Sequence, residues 1–445
     1  MSGVRNAARN IGICAKLLLL FIIVPFVPRI FFLYAPETGE LSGYGTEVCA
    51  RNQFFKIGIE HIPEWLYKRL TTGKAGKPLR IGLITNQTGI NQCGKRTLDI
   101  LIDHGCIVSM LFSPEHGMRG VVRAQEAVHE KDDVRTGIPI VPLYNGSGGF
   151  KQLNTKEAEG CDVFIFDMQD AGMRHYTHSA LLYFIMEHAV AVHKDIIVLD
   201  RPNPLGSLME GPTGMPNDPK SIWKLPIPLR HGLTIGELAR YLNYTVFNRK
   251  VRLTVVPMKG YRRNRVTCQG VVTPLSPNLQ TIPACHGYSF LGLLGEVRPF
   301  GVGIDTPQAF QVILLPESLK FPLYRWYELR VLLRHHGISS ALYRHLNPRK
   351  GEWYAGLTIA IQEINEFSGL KTLVALLKFF ADAGVSLQFS SFFDQAVGTP
   401  LVQQYVRGDV PYDVLAQQLN EESLRFAGNV KSALLYEPAV QRVYF

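Results

Sequence analysis

Five short apolar runs, separated by polar and glycine-bearing breaks, dominate residues 79–256: Leu79–Thr85, Ile107–Phe112, Asp162–Asp167, Ile196–Leu199 and Leu253–Val256. They are too short for buried helices and do not alternate, which predicts strands covered on both faces. Helical spacing fills the gaps. Ile57–Leu70 reads as amphipathic, Thr97–His104 places Leu98, Leu101 and Ile102 on one face before Gly105, and Ser179–Val192 is a longer helix. A further helix opens at Thr234, where Thr234 and Glu237 form a capping box and Leu233 can staple against Leu238. Ile138–Tyr144 reads as extended. This β-α-β alternation over 79–204 predicts a parallel, doubly wound sheet. From about residue 285 the pattern changes to glycine turns mixed with strand-like runs (Phe310–Leu315, Leu357–Ile361) and helical ones (Gly369–Ala383, Tyr405–Phe426). That mixture predicts a second, α+β domain that packs beside the first and closes a cleft.

The N-terminus follows neither pattern. Leu17–Val27 is continuously apolar behind Arg5, Arg9 and Lys16, and Pro28-Arg29 separates it from Ile30–Ala35. Such a segment reads as a signal peptide or an uncleaved signal-anchor, with the positive-inside rule placing the body outside the cytoplasm. The expected organisation is 1–35 targeting segment, 36–55 polar linker, 56–284 catalytic domain and 285–445 C-terminal domain. The 47 basic and 37 acidic residues of the 445 give +10, but four basic groups fall in 1–35, so the body carries about +6. No basic run or basic-aromatic interleaving suggests nucleic acid. Mild basicity suits an anionic polymer such as a cell wall. Beyond Cys14, the six cysteines of an exported body permit disulfides, although their spacing predicts no pairing and no zinc site.

Ligands of open parallel sheets bind beyond the strands' carboxyl ends. Four such ends carry polar chemistry here: Asn86 and Thr88; Glu115 and His116; Asp167, Asp170 and Arg174; Asp200, Arg201 and Asn203. Glu115 beside His116, flanked by Gly117 and Gly120, offers two groups that can exchange protons near neutral pH. Asp167, Asp170 and Arg174 also have the spacing of an internal ion-pair network. His231, before the capped helix, and Asn278, in Pro274-Leu-Ser-Pro-Asn278, stand in ordered loops. Neither G-x-G-x-x-G after the first strand nor G-x-x-x-x-G-K-[ST] occurs, which argues against dinucleotide or P-loop chemistry.

Several motifs in one order resemble the bacterial exo-β-N-acetylmuramidase family typified by NamZ, long known only as a domain of unknown function. They are Gly82-Leu-Ile-Thr-Asn-Gln-Thr-Gly89, Ser113-Pro-Glu-His-Gly-Met-Arg-Gly120, Phe166–Arg174 with Tyr176-Thr177, Leu199-Asp-Arg-Pro-Asn-Pro204, Pro226–Leu238 and Ser276-Pro-Asn278. The resemblance covers roughly 55–445. It implies a Rossmann-like doubly wound parallel sheet with a smaller C-terminal α+β domain, and release of terminal N-acetylmuramic acid from peptidoglycan fragments without a cofactor. Glu115 matches the glutamate of the S-P-E-H-G motif and is the expected general acid, with His116 beside it. Asp170, then Asp167, Glu126 and Asp200, are candidates for a second carboxylate. Asn86, Arg119, Glu126, Asp167, Arg174, Tyr176, Asp200, Arg201, Asn203, His231 and Asn278 are the expected substrate-binding set, arginine forks suiting the muramic lactyl carboxylate. One stretch departs: where relatives carry Glu-Gly-Thr-Asn and Gly-Arg-Gly-Thr, this chain reads Leu294-Gly-Glu-Val-Arg-Pro-Phe-Gly-Val-Gly-Ile-Asp-Thr306. That departure bears on the sugar recognised, and leaves a non-hydrolytic, membrane-held wall-binding homologue as the rival. A phosphosugar enzyme is disfavoured by carboxylate-rich strand ends.

Overall fold

Beyond Thr85, where the first central strand ends, the chain turns to the outer side of a six-stranded parallel sheet, and it returns to the middle only at residue 163. The computed structural model describes residues 54–73, 76–123, 126–144, 149–151, 153–154, 157, 159–214, 225–263, 270–347 and 350–445, all within one compact unit. The targeting segment 1–35, nearly all of the linker, and loop positions 146–148 and 215–219 lie outside the described residues. The sheet contains β1 (Arg80–Thr85), β2 (Ile107–Ser113), β3 (Ile140–Pro142), β4 (Val163–Asp167) and β5 (Asp195–Leu199). After β6 (Leu208–Thr213) and β7 (Pro228–Arg230), which pair antiparallel elsewhere, β8 (Arg252–Val256) completes it.

Strand order is β3-β2-β1-β4-β5-β8 and every pairing is parallel. The chain winds outward from β1 in one direction and from β4 in the other, so the switch point lies between them, where Thr85 pairs with Asp167. A doubly wound sheet opens its crevice at that place. β1, β4 and β5 are buried almost throughout, which matches their continuous apolar runs. Helices α1 (Glu64–Thr72), α2 (Thr97–Asp103), α3 (Thr177–Ala191) and α4 (Ile235–Thr245) flank the sheet and supply two apolar layers, one on each face. At the start of α4, Thr234 Oγ1 accepts from the Glu237 amide while Glu237 Oε2 accepts from the Thr234 amide, the capping box read from sequence.

The C-terminal part is the smaller α+β domain. Its antiparallel sheet runs β10 (Val312–Pro316), β12 (Glu352–Ile361), β11 (Ile338–Asn347). One face of it packs on α5 (Ile282–Leu294), α6 (Leu323–His335) and α7 (Gly369–Asp382) through Ile313, Leu357, Trp326, Phe290 and Phe380. Two elements differ from the sequence reading. Residues 282–294 form a helix, capped by Thr281, where the sequence pattern marked no element. The expected tail helix is two, α9 (Leu401–Arg407) and α10 (Tyr412–Val430), after the short α8 (Phe393–Val397); Gly408 (φ +86°) and Pro411 divide them.

The last residues return to the first sheet. Phe426 and Val430 enter the apolar layer under α4, and Tyr436 reaches the end of β5, donating from its hydroxyl to Asp200 Oδ2 at 2.6 Å while accepting from the Met258 amide at 2.7 Å. Tyr436→Phe removes both bonds and leaves two buried groups short of a partner. It should cost about 1–3 kcal/mol in denaturant unfolding; an unchanged midpoint would show that this tether contributes nothing.

Candidate active site

Polar residues at the strand ends divide into those that face a cavity and those that satisfy each other. The cavity, of about 810 Å³, lies beyond the carboxyl ends of the parallel strands, walled by the 115–123 loop, residues 175–177, the 276–279 loop, α5 and its following loop, and the β11–β12 hairpin. Of the residues expected from sequence it takes Glu115, His116, Tyr176 and Asn278. Its size is that of a small-ligand site.

Glu115 is placed by Ser113-Pro114, which end β2 and hand the chain to a run of turns; its side chain is 7% exposed, on the cavity wall. His116 adopts φ +72°, an uncommon conformation for a non-glycine residue, held in part by its ring. Its Nδ1 lies 2.7 Å from the Val122 carbonyl. A carbonyl only accepts, so Nδ1 carries the proton and Nε2 is the basic nitrogen. Asn278 accepts the Asp305 amide at 2.9 Å, which orders the loop facing α5.

The other expected residues are held elsewhere. Asp167 is fully buried and takes a two-pronged bond from Arg201 (2.6 and 2.8 Å) plus the Thr97 hydroxyl, tying β4, β5 and α2 together. Arg174 is fully buried with no carboxylate in contact among the described residues: its guanidinium donates to the carbonyls of Pro212 (2.5 Å), Ile227 (2.8 Å), Ala396 (3.0 Å) and Val397 (2.7 Å). Burial pushes it down to about 9. An arginine expected to grip substrate is instead a clamp between the sheet domain and α8. Asn203 bonds the Leu233 carbonyl and the Leu205 amide, and lies so close to Gly172 (φ +81°) that a Cβ there would sit 2.3 Å from its Oδ1. Asn86 closes a turn on Thr88. Arg119 and Glu126 are exposed and outside the cavity lining, Arg119 standing 3.9 Å from Glu130.

Asp170 is intermediate in position. It is 5% exposed, accepts from the Gly172 amide at 2.7 Å, and lies 3.3 Å from His231 Nε2. The Leu233 amide donates to His231 Nδ1, so the ring proton is on Nε2 and faces Asp170. Asp170 does not line the cavity, but its charge reaches Tyr176 and Tyr288, which do. Burial first, and carboxylates next, raise both phenols far above their ordinary value; around Tyr288 those carboxylates are Glu115, Asp170 and Glu296.

Sequence reasoning did not reach several cavity residues: Arg123, His175, Tyr288, Glu296 and, on the β11–β12 hairpin, His345, Asn347 and Lys350. Burial and the neighbouring Arg174 charge push His175 down to about 3, so it is a neutral imidazole against the Tyr288 ring (centroids 4.6 Å apart). His175 lies between Arg174 and Tyr176, the motif residues that flank it. The hairpin residues carried no signal. Among the described residues no group of His, Cys, Asp or Glu is arranged to hold a metal.

A model of the N-terminal part of exo-β-N-acetylmuramidase NamZ matches residues 81–283. Peptidoglycan β-N-acetylmuramidase NamZ of Bacillus subtilis (strain 168) is 31% identical over 382 residues, 83% of this chain and 89% of that protein. Two crystal structures of DUF1343 family proteins from Bacteroides fragilis NCTC 9343 superpose with TM-scores of 0.74 and 0.65, at 26% and 25% identity, each pairing 86% of this chain with 99% of the other. Sheet, flanking helices and smaller second domain are thus shared, and the protein is by class a glycosidase on an α/β scaffold. The chain belongs to the exo-β-N-acetylmuramidase NamZ family.

Asp200 gives a prediction independent of turnover. Fully buried, it accepts from Tyr436, Thr234 (2.8 Å), the Gly236 amide (2.7 Å) and the Arg201 amide (2.9 Å), yet burial outweighs these bonds and raises it from 3.8 to about 7. Between the unfolded value and about 7 the folded state holds a proton that the unfolded state has lost. Stability must therefore fall as pH rises through that window and level off above it, by at most about 4 kcal/mol. Asp200→Asn should flatten that slope in unfolding measured from pH 4 to 8. Parallel slopes for the two proteins would refute the assignment.

Proposed function

We propose that this chain hydrolyses the glycosidic bond of terminal N-acetylmuramic acid in peptidoglycan fragments, with Glu115 as general acid in the cleft between the sheet domain and the C-terminal domain. The observation that carries this reading is the place of Glu115. It is a nearly buried carboxylate on the wall of an 810 Å³ cavity, in a chain whose family is that of NamZ. As the bond from the anomeric carbon to the leaving oxygen breaks, Glu115 gives its proton to that oxygen, and the electron pair leaves with it. His116 also lines the cavity, its Nδ1 proton held by the Val122 carbonyl so that Nε2 is left as the basic nitrogen. Neutral His175 suits sugar hydroxyls, and the phenol oxygens of Tyr176 and Tyr288, which donate to the Leu275 and His175 carbonyls, can still accept from those hydroxyls. Arg123 and Lys350, also on the lining, supply the positive charge that the lactyl carboxylate calls for.

Turnover of 4-nitrophenyl β-N-acetylmuraminide tests the reading. Glu115→Gln should lower kcat by roughly 10²-fold or more while binding persists. A proton donor matters most for a poor leaving group, so the loss on an unactivated muramyl disaccharide should exceed that on the nitrophenyl glycoside. Equal losses would move the acid elsewhere. Binding of muramides by the wild type without cleavage would favour the wall-binding reading.

The same proposal places the body outside the cytoplasm and at the membrane through residues 1–35. The apolar, acid-free pattern of that segment supports it, as does a disulfide at Cys93, a bond at home in oxidising compartments. No helix among the described residues is long and apolar enough to cross a membrane, so the attachment rests on the segment outside them. Fractionation should recover the protein with exported membranes; full-length protein free in the cytoplasm would refute it.

A further inference from the structure

Glycoside hydrolysis uses a second carboxylate besides the acid, and the four candidates expected from sequence are poorly placed for it. Asp167 is saturated by Arg201 and Thr97, and Asp200 by four donors. Glu126 is exposed outside the lining, and Asp170 is turned to Gly172 and His231. Besides Glu115, two carboxylates line the cavity, Glu296 and Asp305; Asp305 is exposed on a turn with φ +61°.

Resting on the hydrolase reading above, we infer that Glu296 is the second carboxylate of the centre, facing the anomeric carbon while Glu115 serves the leaving oxygen. Three observations support this. First, Glu296 stands at the junction of α5 and β9 (Val297–Arg298), a wall separate from the strand end that bears Glu115, so a sugar in the cavity lies between elements that each contribute one acid. Second, the side chain is fixed: the Ser390 hydroxyl donates to Oε2 at 2.6 Å and the Ser390 amide to the Glu296 carbonyl at 2.9 Å, leaving Oε1 without a hydrogen bond to a described residue. A pinned carboxylate with one oxygen spare can meet substrate without paying again to order itself. Third, Glu115, Glu296 and Tyr288 line the same cavity, and both carboxylates raise the Tyr288 phenol.

The step balances without a further reagent. Water bonds to the anomeric carbon and yields a proton on the Glu296 side; the leaving oxygen takes the proton of Glu115. Azide can replace the missing function when Glu296 is cut back, since it bonds to the anomeric carbon without a proton to lose. The experiment is turnover of 4-nitrophenyl β-N-acetylmuraminide by wild type, Glu296→Gln and Glu296→Ala, with and without sodium azide, and the anomeric form of the product read by NMR. Expected are a loss of roughly 10³-fold in kcat with KM and melting temperature little changed, and partial recovery of Glu296→Ala by azide as the α-azide.

Retention of more than a tenth of wild-type kcat in Glu296→Gln, or a loss that azide restores in neither variant, would overturn the assignment; Asp170→Asn behaving as expected for Glu296 would transfer it. In all these outcomes the wild type still hydrolyses muramides, so the role of Glu296 fails separately from the hydrolase reading. A wild type that never turns over would remove both.

Discussion

The structure depends on satisfying charge at the carboxyl ends of its parallel strands without water. Four ionisable side chains, Asp167, Arg174, Asp200 and Arg201, are buried there. Taking a charge out of water costs several kcal/mol, returned only where geometry is good and the remaining donors and acceptors are met. Asp167 and Arg201 meet that condition by a two-pronged bond, with the Ile90 carbonyl 3.0 Å from Arg201 Nη2. Because that pair bridges β4, β5 and the start of α2, it fixes the crevice at the switch point. Removing one partner would strand the other, a loss of about 3–5 kcal/mol in buried pairs. The pair therefore acts as a geometrical constraint, and what faces the cavity is set by what it leaves over.

Buried arginines extend the same logic between domains. Arg174 spends its donors on carbonyls of the β6–β7 region and on the last residues of α8, beside Ala396 and Phe392 of the cavity lining. Arg230 does the same for Phe367 and Ile364 of the C-terminal part. These contacts carry no recognition of their own. They hold the second wall of the cavity at a set distance from the first.

That division explains what was legible in the sequence. The strands of the sheet were, since a strand covered on both faces must be apolar at every position, and β1, β4 and β5 read so. Helix α5 was not: buried on most sides, it shows no polar face, and a run such as Tyr288–Leu294 fits a strand as well. At the site, pattern located the strand ends but could not say which polar groups turn inward. Arg174 and Glu115 are alike in sequence, each polar after a buried strand, yet one closes on four carbonyls and the other on the cavity. Glu296 and the hairpin residues lie more than 180 positions downstream of Glu115, and only the folded chain brings them to the same cavity.

The cavity's electrostatics follow from the same burial. Desolvation keeps His175 neutral and the phenols of Tyr176 and Tyr288 protonated, and each carboxylate nearby reinforces the phenols' hold on their protons. These three neutral groups suit a sugar, whose hydroxyls need hydrogen bonds rather than charge. None of these three groups changes protonation across the neutral range, so the affinity they contribute is flat with pH.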